Sequence, residues 1–274
     1  MPEELVTIGY LSEFVYETEW AHTKGEVTAL RNSEEVVNHF HTDTLVSEIR
    51  PFHISEFVSS LRSKGNSPGT INRKLAALSK MLTVAYRNEW IDSRPHIPRQ
   101  KEPTHRIRWI TKDEERQMAV HSYPHFARLW TVLIDTGLRV GEALRLPAAD
   151  VDLDQNRIHV WDTKSDKPRS IPMTKRVRDI LSAGTFVNIT QDQVNYQWNR
   201  MKSAMDLGDD KFFVPHICRH TFASRLVQRG VGITVVQQLC GHKTLEITLR
   251  YAHLAPSNVE DAIQKLEDDH AAAR

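Results

Sequence analysis

The chain has 274 residues, 40% of them hydrophobic and 26% charged, with a formal net charge of +1, the balance of a globular protein with room for two domains and a real core. No run reaches the roughly 18 apolar residues of a membrane span, and the opening MPEELVTIGY is acidic where a targeting peptide is basic. Two cysteines, Cys218 and Cys240, are too few for a disulfide framework, so a membrane protein and a secreted disulfide scaffold are both excluded and a cytoplasmic location with two buried free thiols is expected.

The near-zero total hides a division along the chain. Residues 1–55 carry three basic and ten acidic side chains, and residues 56–110 eleven basic and four acidic, so the second window is polarised like a surface for a polyanion. From Leu5 to Trp90 apolar residues recur at three-and-four spacing, which predicts three or four helices. The clearest begins behind Ser67-Pro68-Gly69, with Ser67 as its cap, and sets Ile71, Leu75, Leu78, Leu82 and Ala85 along one stripe. At about 100° per residue, Arg73, Lys80 and Arg87 fall roughly 160 to 200° from that stripe, in line with one another. Solvated faces normally mix signs, yet between Glu56 and Glu89 stand six basic residues and no acid. The line therefore reads as phosphate-contacting, with Lys64, Asn66, Asn72 and Lys74 as neighbours able to reach backbone or base edges; an ordinary solvated face is the plainer alternative.

The stretch from Ser93 to Arg108 holds three prolines, many charges and little apolar content, and reads as a linker. Beyond Trp109 the pattern is mixed: Arg157 to Lys164 predicts a strand, Ser165 to Pro168 a turn and Arg169 to Met173 the return strand, after which the chain is mostly helical.

Several residues in this second half could carry chemistry on a phosphodiester. A protein without metal ligands must meet the charge on the nonbridging oxygens with guanidinium forks. Arg139 and Arg219 are the candidates. Gly137 can end one helix and leave Arg139 at the start of the next; a structural ion pair of Arg139 with Glu142 is the alternative. Val214-Pro215 predicts a helix start that places His216 and Arg219 three apart on one face, where an imidazole can pass a proton; a satisfied helix-start histidine is the plainer alternative. His242 follows Gly241, which stops the ITVVQQLC helix, and could enter a pocket or simply meet the helix dipole. Tyr251, taken alone, reads as a core residue; as a nucleophile it needs positive neighbours to lower the cost of its phenolate. Cys218-x-His220 and Cys240-x-His242 suggest a zinc site only superficially, because helical positions two apart point about 200° from each other.

Two strings carry a family resemblance. TGLRVGEALRL, around Arg139, resembles the first arginine box of the tyrosine recombinases, the phage integrase family. VPHICRHTFASRLVQRGVGITVVQQLCGHKTLEITLRYAHL resembles that family's C-terminal signature. NSPGTINRKLAALSKMLTVAYRNEWI is similar to the last helices of its core-binding domain. The resemblance implies a fold that is mainly α with a small β-sheet: an all-α N-terminal core-binding domain (1–98), a linker (99–108) and a mixed α+β catalytic domain with a C-terminal helix and tail (109–274). It implies a catalytic set of Arg139, Lys164, His216, Arg219, His242 and Tyr251, with Lys164 in TKSDKPRSIPM as the acid to the departing 5′ oxygen and Lys167 as its rival. DNA contacts are expected from Lys64, Asn72, Arg73, Lys74, Lys80 and Arg87. Cys218 and Cys240 stand where the family usually has leucine, and a start at Met1 leaves no room for the arm-binding domain of lambda-type integrases, so the expectation is either a protein that binds only core sites or a chain that is a fragment.

By the same resemblance two domains form a C-shaped clamp on double-stranded DNA at core recombination sites, and Tyr251 attacks the scissile phosphate to give a 3′-phosphotyrosine. Arg139 and Arg219 hold the transition-state oxygens, and the two histidines support proton transfer. Neither metal nor any other cofactor is expected. Four protomers assemble on two sites, with Val259, Ile263 and Leu266 toward a neighbour, and accessory DNA-bending proteins are among the partners the resemblance allows. The function implied is site-specific recombination by a phage or prophage integrase. An Xer-type chromosome-dimer resolvase and a non-catalytic DNA-binding protein that kept the fold are the alternatives.

Overall fold

The structure is a computed structural model that describes residues 6–103, 107–161 and 168–256; Lys164, Lys167 and the segment 259–266 lie outside the described residues. The chain divides into two compact units, residues 1–105 and 106–274. Among the described residues no helix is long and apolar enough to cross a membrane.

The first unit is helical: α1 (Ile8–Val15), a π-helical turn (Tyr16–Trp20), α2 (Glu26–Phe40), α3 (Pro51–Ser63) and α4 (Pro68–Arg87). Helix α4 starts as its sequence dictates. Pro68 fixes the first turn, where no N–H is required, and Ser67 Oγ accepts from Thr70 N at 3.2 Å. Its stripe of Ile71, Leu75, Leu78, Leu82 and Ala85 is buried against Ile8, Leu11, Ile54, Phe57 and Leu61, at roughly 1.5–3 kcal/mol for each large side chain.

The proline-rich stretch after α4 is not a free tether. Ile97 packs on the helical core, and the Asn72 amide brackets the chain beyond it. Its Oδ1 accepts from Gln100 N at 2.8 Å, while Nδ2 donates to Gln100 O at 2.9 Å and to the Glu102 carboxylate at 2.8 Å. Composition reads a linker here because backbone-to-amide pairing leaves no periodic signal. Arg108, at the other end of the stretch, belongs to the second unit. It pairs with Glu114 and Asp210 and lies 5.3 Å over the Phe213 ring.

The second unit contains α5 (Lys112–His121), α6 (Pro124–Thr136), α7 (Val140–Leu144), β1 (Val151–Asp152), β2 (Arg157–Val160), β3 (Arg169–Pro172), α8 (Lys175–Ser182), α9 (Gln191–Ala204), α10 (Ile217–Gln228), α11 (Ile233–Cys240) and α12 (Leu245–Leu249). Helix α5 opens with a capping box in which Thr111 and Glu114 exchange hydrogen bonds. The core gathers Phe126, Trp130, Leu133, Trp198 and Phe213, and the buried indole of Trp198 donates to Phe213 O at 2.9 Å. The described part of the sheet is antiparallel in the order β1-β2-β3, with Arg157 opposite Pro172 and Val160 opposite Arg169. The hairpin strands were legible in the sequence; the edge strand β1 was not, since two residues carry no alternation.

Helix α6 stops at Gly137, which adopts φ +65°. A Cβ there would sit 2.4 Å from the Phe222 ring, so both backbone and space demand glycine. Gly137→Ala is expected to destabilise the protein by about 2 kcal/mol or more, read as a fall in urea midpoint at unchanged m-value. An unchanged midpoint would show that the turn relaxes freely.

Candidate active site

The turn after α6 places two arginines together. Gly137 O accepts from Arg219 Nη1 at 2.6 Å, and two residues later Arg139 caps α7. Glu142, one turn into α7, reaches back: its carboxylate accepts from Arg139 N at 2.8 Å and from Arg139 Nη1 at 2.6 Å. Arg139 is thus ion-paired as the plainer reading of the sequence holds. Nη2 extends to Gly241 O at 3.3 Å, across the C-terminal end of α11.

A third arginine, absent from the sequence-based set, completes this support. Arg169 on β3 donates from Nη2 to Glu142 at 2.6 Å and from Nε to Leu239 O at 3.1 Å. Burial pushes the Glu142 carboxyl up, but the Arg169 and Arg139 guanidinium groups outweigh it and hold it below the usual carboxylate range. The signal for Arg169 was period-two alternation, which puts it on the same face of β3 as the buried Ile171. Gly241 leaves room for this side chain: at φ +62°, its Cβ would fall 2.9 Å from Arg169 Nη1.

Arg219 itself is only 2% exposed. Burial pulls its guanidinium down to about 10, with Arg139 and Arg169 adding to the effect. Its Nη2 has no hydrogen-bond partner among the described residues. A buried cation with an uncompensated donor is costly for folding alone and favourable for an anion.

Around this edge stand three imidazoles and a phenol. His216 occupies the N-cap of α10, and its ring meets that of His220, one helical turn on, at 4.9 Å and 90°. His242 follows α11 and exchanges a hydrogen bond with Thr248 Oγ1 at 2.9 Å. Its ring lies parallel to that of Tyr251 with centroids 6.4 Å apart. The Tyr251 hydroxyl is 2.6 Å from His220 Nδ1. Burial and then the neighbouring cations hold all three imidazoles down, His220 to about 4 and His242 to about 3, so all are neutral at pH 7.

Tyr251 runs against the expectation that positive neighbours ease its ionisation. It is 2% exposed, and burial raises its phenol to about 12 although Arg250 and Arg219 pull the other way. Desolvation outweighs charge in this state. His220 is the second residue the sequence reading passed over, having considered it only with Cys218 as a metal pair. Its signal was the i, i+4 spacing from His216.

Arg139, His216, Arg219, His242 and Tyr251 are therefore gathered in the second unit, and Lys164 lies outside the described residues. The expected DNA contacts fall in the first unit, where the basic line is not free of acids. Glu35 holds Lys64 at 2.8 Å and Lys74 at 3.1 Å. Glu19 holds Lys80 at 2.7 Å and lies 4.0 Å from Arg87. The expectation of an unmixed face is corrected: both carboxylates come from other elements, α2 and the π-helical turn, which helical phase within α4 cannot reveal. Lys74 is buried, and Asn72 spends both amide donors on Gln100 and Glu102, so neither side chain faces a ligand. Asn66 is tied to Leu61 O at 2.9 Å. Arg73 is exposed, with no ion pair among the described residues.

Comparison with known proteins places this geometry. Residues 108–258 match the model of the phage integrase family, and residues 7–101 that of the phage integrase SAM-like domain. The integrase of Escherichia phage P2 is 28% identical over 84% of this chain and 68% of its own length, and that of Escherichia phage 186 is 29% identical over 76% and 63%. Tyrosine recombinase XerC of Pediococcus pentosaceus is 24% identical over 89% and 92%. The chain thus spans only about two thirds of the two phage integrases. In fold it resembles the Tn1549 transposon integrase bound to a circular intermediate DNA, with a TM-score of 0.78 at 18% identity over 96% of this chain and 99% of that one. It also resembles a lambda integrase dimer bound to a core site, with a TM-score of 0.73 at 16% identity over 91% and 78%. On the family match across more than half its length, together with the paired boxes around Arg139 and Arg219, the chain belongs to the phage integrase family of tyrosine recombinases.

Proposed function

We propose that the protein is a site-specific DNA recombinase that cuts and rejoins double-stranded DNA through Tyr251, and that its task is integration of a phage or prophage genome. The observation that carries this reading is the buried guanidinium edge of Arg219, whose Nη2 has no partner among the described residues, in the same constellation as Arg139 and the Tyr251 phenol. The similarity to the integrases of phages P2 and 186 favours integration over chromosome-dimer resolution.

In the proposed step the phenolic oxygen of Tyr251 forms a bond to phosphorus as the P–O5′ bond breaks, giving a 3′-phosphotyrosine and a free 5′ hydroxyl. Arg139 and Arg219 neutralise the charge gathering on the nonbridging oxygens. Lys164 supplies the proton to the departing oxygen. Since one phosphoester replaces another, the energy for rejoining stays in the bond. The exposed Arg73 and the ion-paired Lys64, Lys80 and Arg87 are proposed to contact the DNA backbone, exchanging carboxylate for phosphate and giving salt-dependent binding. Four protomers on two core sites, accessory DNA-bending proteins and a cytoplasmic location complete the reading.

The test begins with a binding site recovered from a random-sequence duplex pool. On that site, nicked so that the strand beyond the cut diffuses away, wild-type protein is expected to become covalently linked to DNA. Tyr251→Phe should bind within about threefold of wild type and give no adduct, because the attacking oxygen is gone. Wild-type protein that binds this site tightly and never becomes linked, with the nick moved through every position, would overturn the recombinase reading in favour of a binding protein.

A further inference from the structure

We propose that His220 is the general base of the cleavage step: its Nδ1 takes the phenolic proton of Tyr251 as the oxygen attacks phosphorus. The proposal rests on the recombinase reading above and names the group that this reading leaves open.

Three imidazoles lie near the phenol, and geometry separates them. His242 presents its ring face to the Tyr251 ring, with the two planes 1° apart, and engages Thr248 through Nδ1. Among the described residues it makes no hydrogen bond to the phenolic oxygen. His216 contacts the edge or face of the His220 ring, 4.9 Å away. Only His220 has a ring nitrogen at hydrogen-bond distance from the phenolic oxygen, 2.6 Å, already within the reach a proton transfer needs. The same turn of α10 carries Arg219 immediately before it, so one helix delivers both the oxygen-binding fork and the proton acceptor. A one-residue slip in that helix would lose both.

The protonation states agree with this order of events. A His220 ring held down to about 4 is neutral at pH 7 and able to accept, while a phenol raised to about 12 keeps its proton. The two values lie too far apart for a resting phenolate. Transfer becomes favourable only as the O–P bond forms, when the phenolic oxygen loses its electron density to phosphorus and a bound phosphate offsets Arg219 and Arg250, the cations that disfavour imidazolium. In balance, the O–H bond of Tyr251 breaks, N–H forms on His220, the tyrosyl O–P bond forms, P–O5′ breaks and the departing O5′ takes its proton from Lys164. Rejoining returns the proton from His220 to the phenol. The nucleophile is thereby inert until a phosphate is seated.

Single-turnover cleavage of the recovered site by the full chain tests the assignment with His220→Ala and His220→Asn. Asparagine can hold an amide group near the place of Nδ1 and keep a hydrogen bond to the phenol, but it cannot take a proton. Both variants are expected to cleave roughly 10²–10⁴-fold more slowly than wild type, with DNA affinity within about threefold. A sulfur in place of the bridging 5′ oxygen, which leaves without protonation, should restore a Lys164→Ala variant and leave both His220 variants slow. His220→Asn cleaving within about threefold of wild type would show that the residue only positions the phenol, and rescue of His220→Ala by the sulfur substrate would move it to the leaving-group side; either overturns the proposal. Wild-type adduct formation in the same assay reports on the recombinase reading separately. Should His220→Ala fail to fold, the asparagine variant and the sulfur substrate still decide.

Discussion

Arg219→Met is expected to abolish most cleavage while leaving the protein as stable as wild type or more so. The reason lies in the burial of an arginine that the fold does not fully satisfy. Burial pulls its guanidinium down to about 10, a shift equivalent to roughly 3 kcal/mol of unfavourable charge burial. A cation with a folded-state value below its unfolded one costs stability in full below the folded value, and that cost fades only as pH rises through about 10 toward the ordinary arginine value. At pH 7 the cost is therefore complete. Methionine fills a similar space without charge and gives up the bond to Gly137 O, worth about 1.5–3 kcal/mol to a charged donor. The two effects offset or leave a modest gain. Cleavage should fall by about 10²–10³, the loss associated with one oxyanion donor. Urea denaturation and single-turnover cleavage check the two halves; a variant destabilised by more than about 2 kcal/mol would mean that Arg219 supports the fold more than the site.

Glu142→Ala has the opposite signature, a large loss of stability together with activity. The carboxylate is the shared partner of Arg139 and of the buried Arg169. Removing it leaves cations facing one another in a dry interior, at about 3–5 kcal/mol. It also frees Arg139, held at both its backbone N–H and its guanidinium, and misplacement by about 1 Å can cost 10²-fold in rate. Because Glu142 is held below its ordinary value of 4.5, its contribution is present above that pH and is lost as pH falls through the folded-state value. Wild type and variant should therefore converge in acid. Parallel stability curves from pH 7 to pH 3 would show that the carboxylate is not the group that matters.

The sequence made the site legible where function follows from local order, and obscured it where function depends on packing between distant segments. Ser67 and Pro68 announce α4, Gly137 and Gly241 end their helices as expected, and His216, Arg219, His242 and Tyr251 are close because short elements with strong stop signals carry them. Arg169 was hidden because a single arginine in a strand reads as solvent-facing until its pairing with Glu142, 27 residues earlier, is known. His220 was hidden by its neighbour, since its i, i+4 spacing from His216 is overshadowed by the i, i+3 pairing of His216 with Arg219. The basic line of α4 was misjudged for the same reason in reverse. A face drawn from one helix cannot show that Glu19 and Glu35, from other elements, neutralise it. Asn72, polar and seemingly free, is the residue that ties down the segment around Gln100.

The two cysteines offer a way to watch the molecule open. Cys218 lies in the large core of the second unit and Cys240 in the smaller cluster that includes Tyr251. Both are buried, and burial pushes both thiols up, so neither reacts with an alkylating reagent in the closed state. Each modification rate is then a clock for a different region: Cys218 reports global unfolding, and Cys240 reports loosening of the cluster that covers Tyr251. A DNA duplex that quickens labelling at 240 and slows it at 218 would time the release of the tyrosine without a single engineered probe.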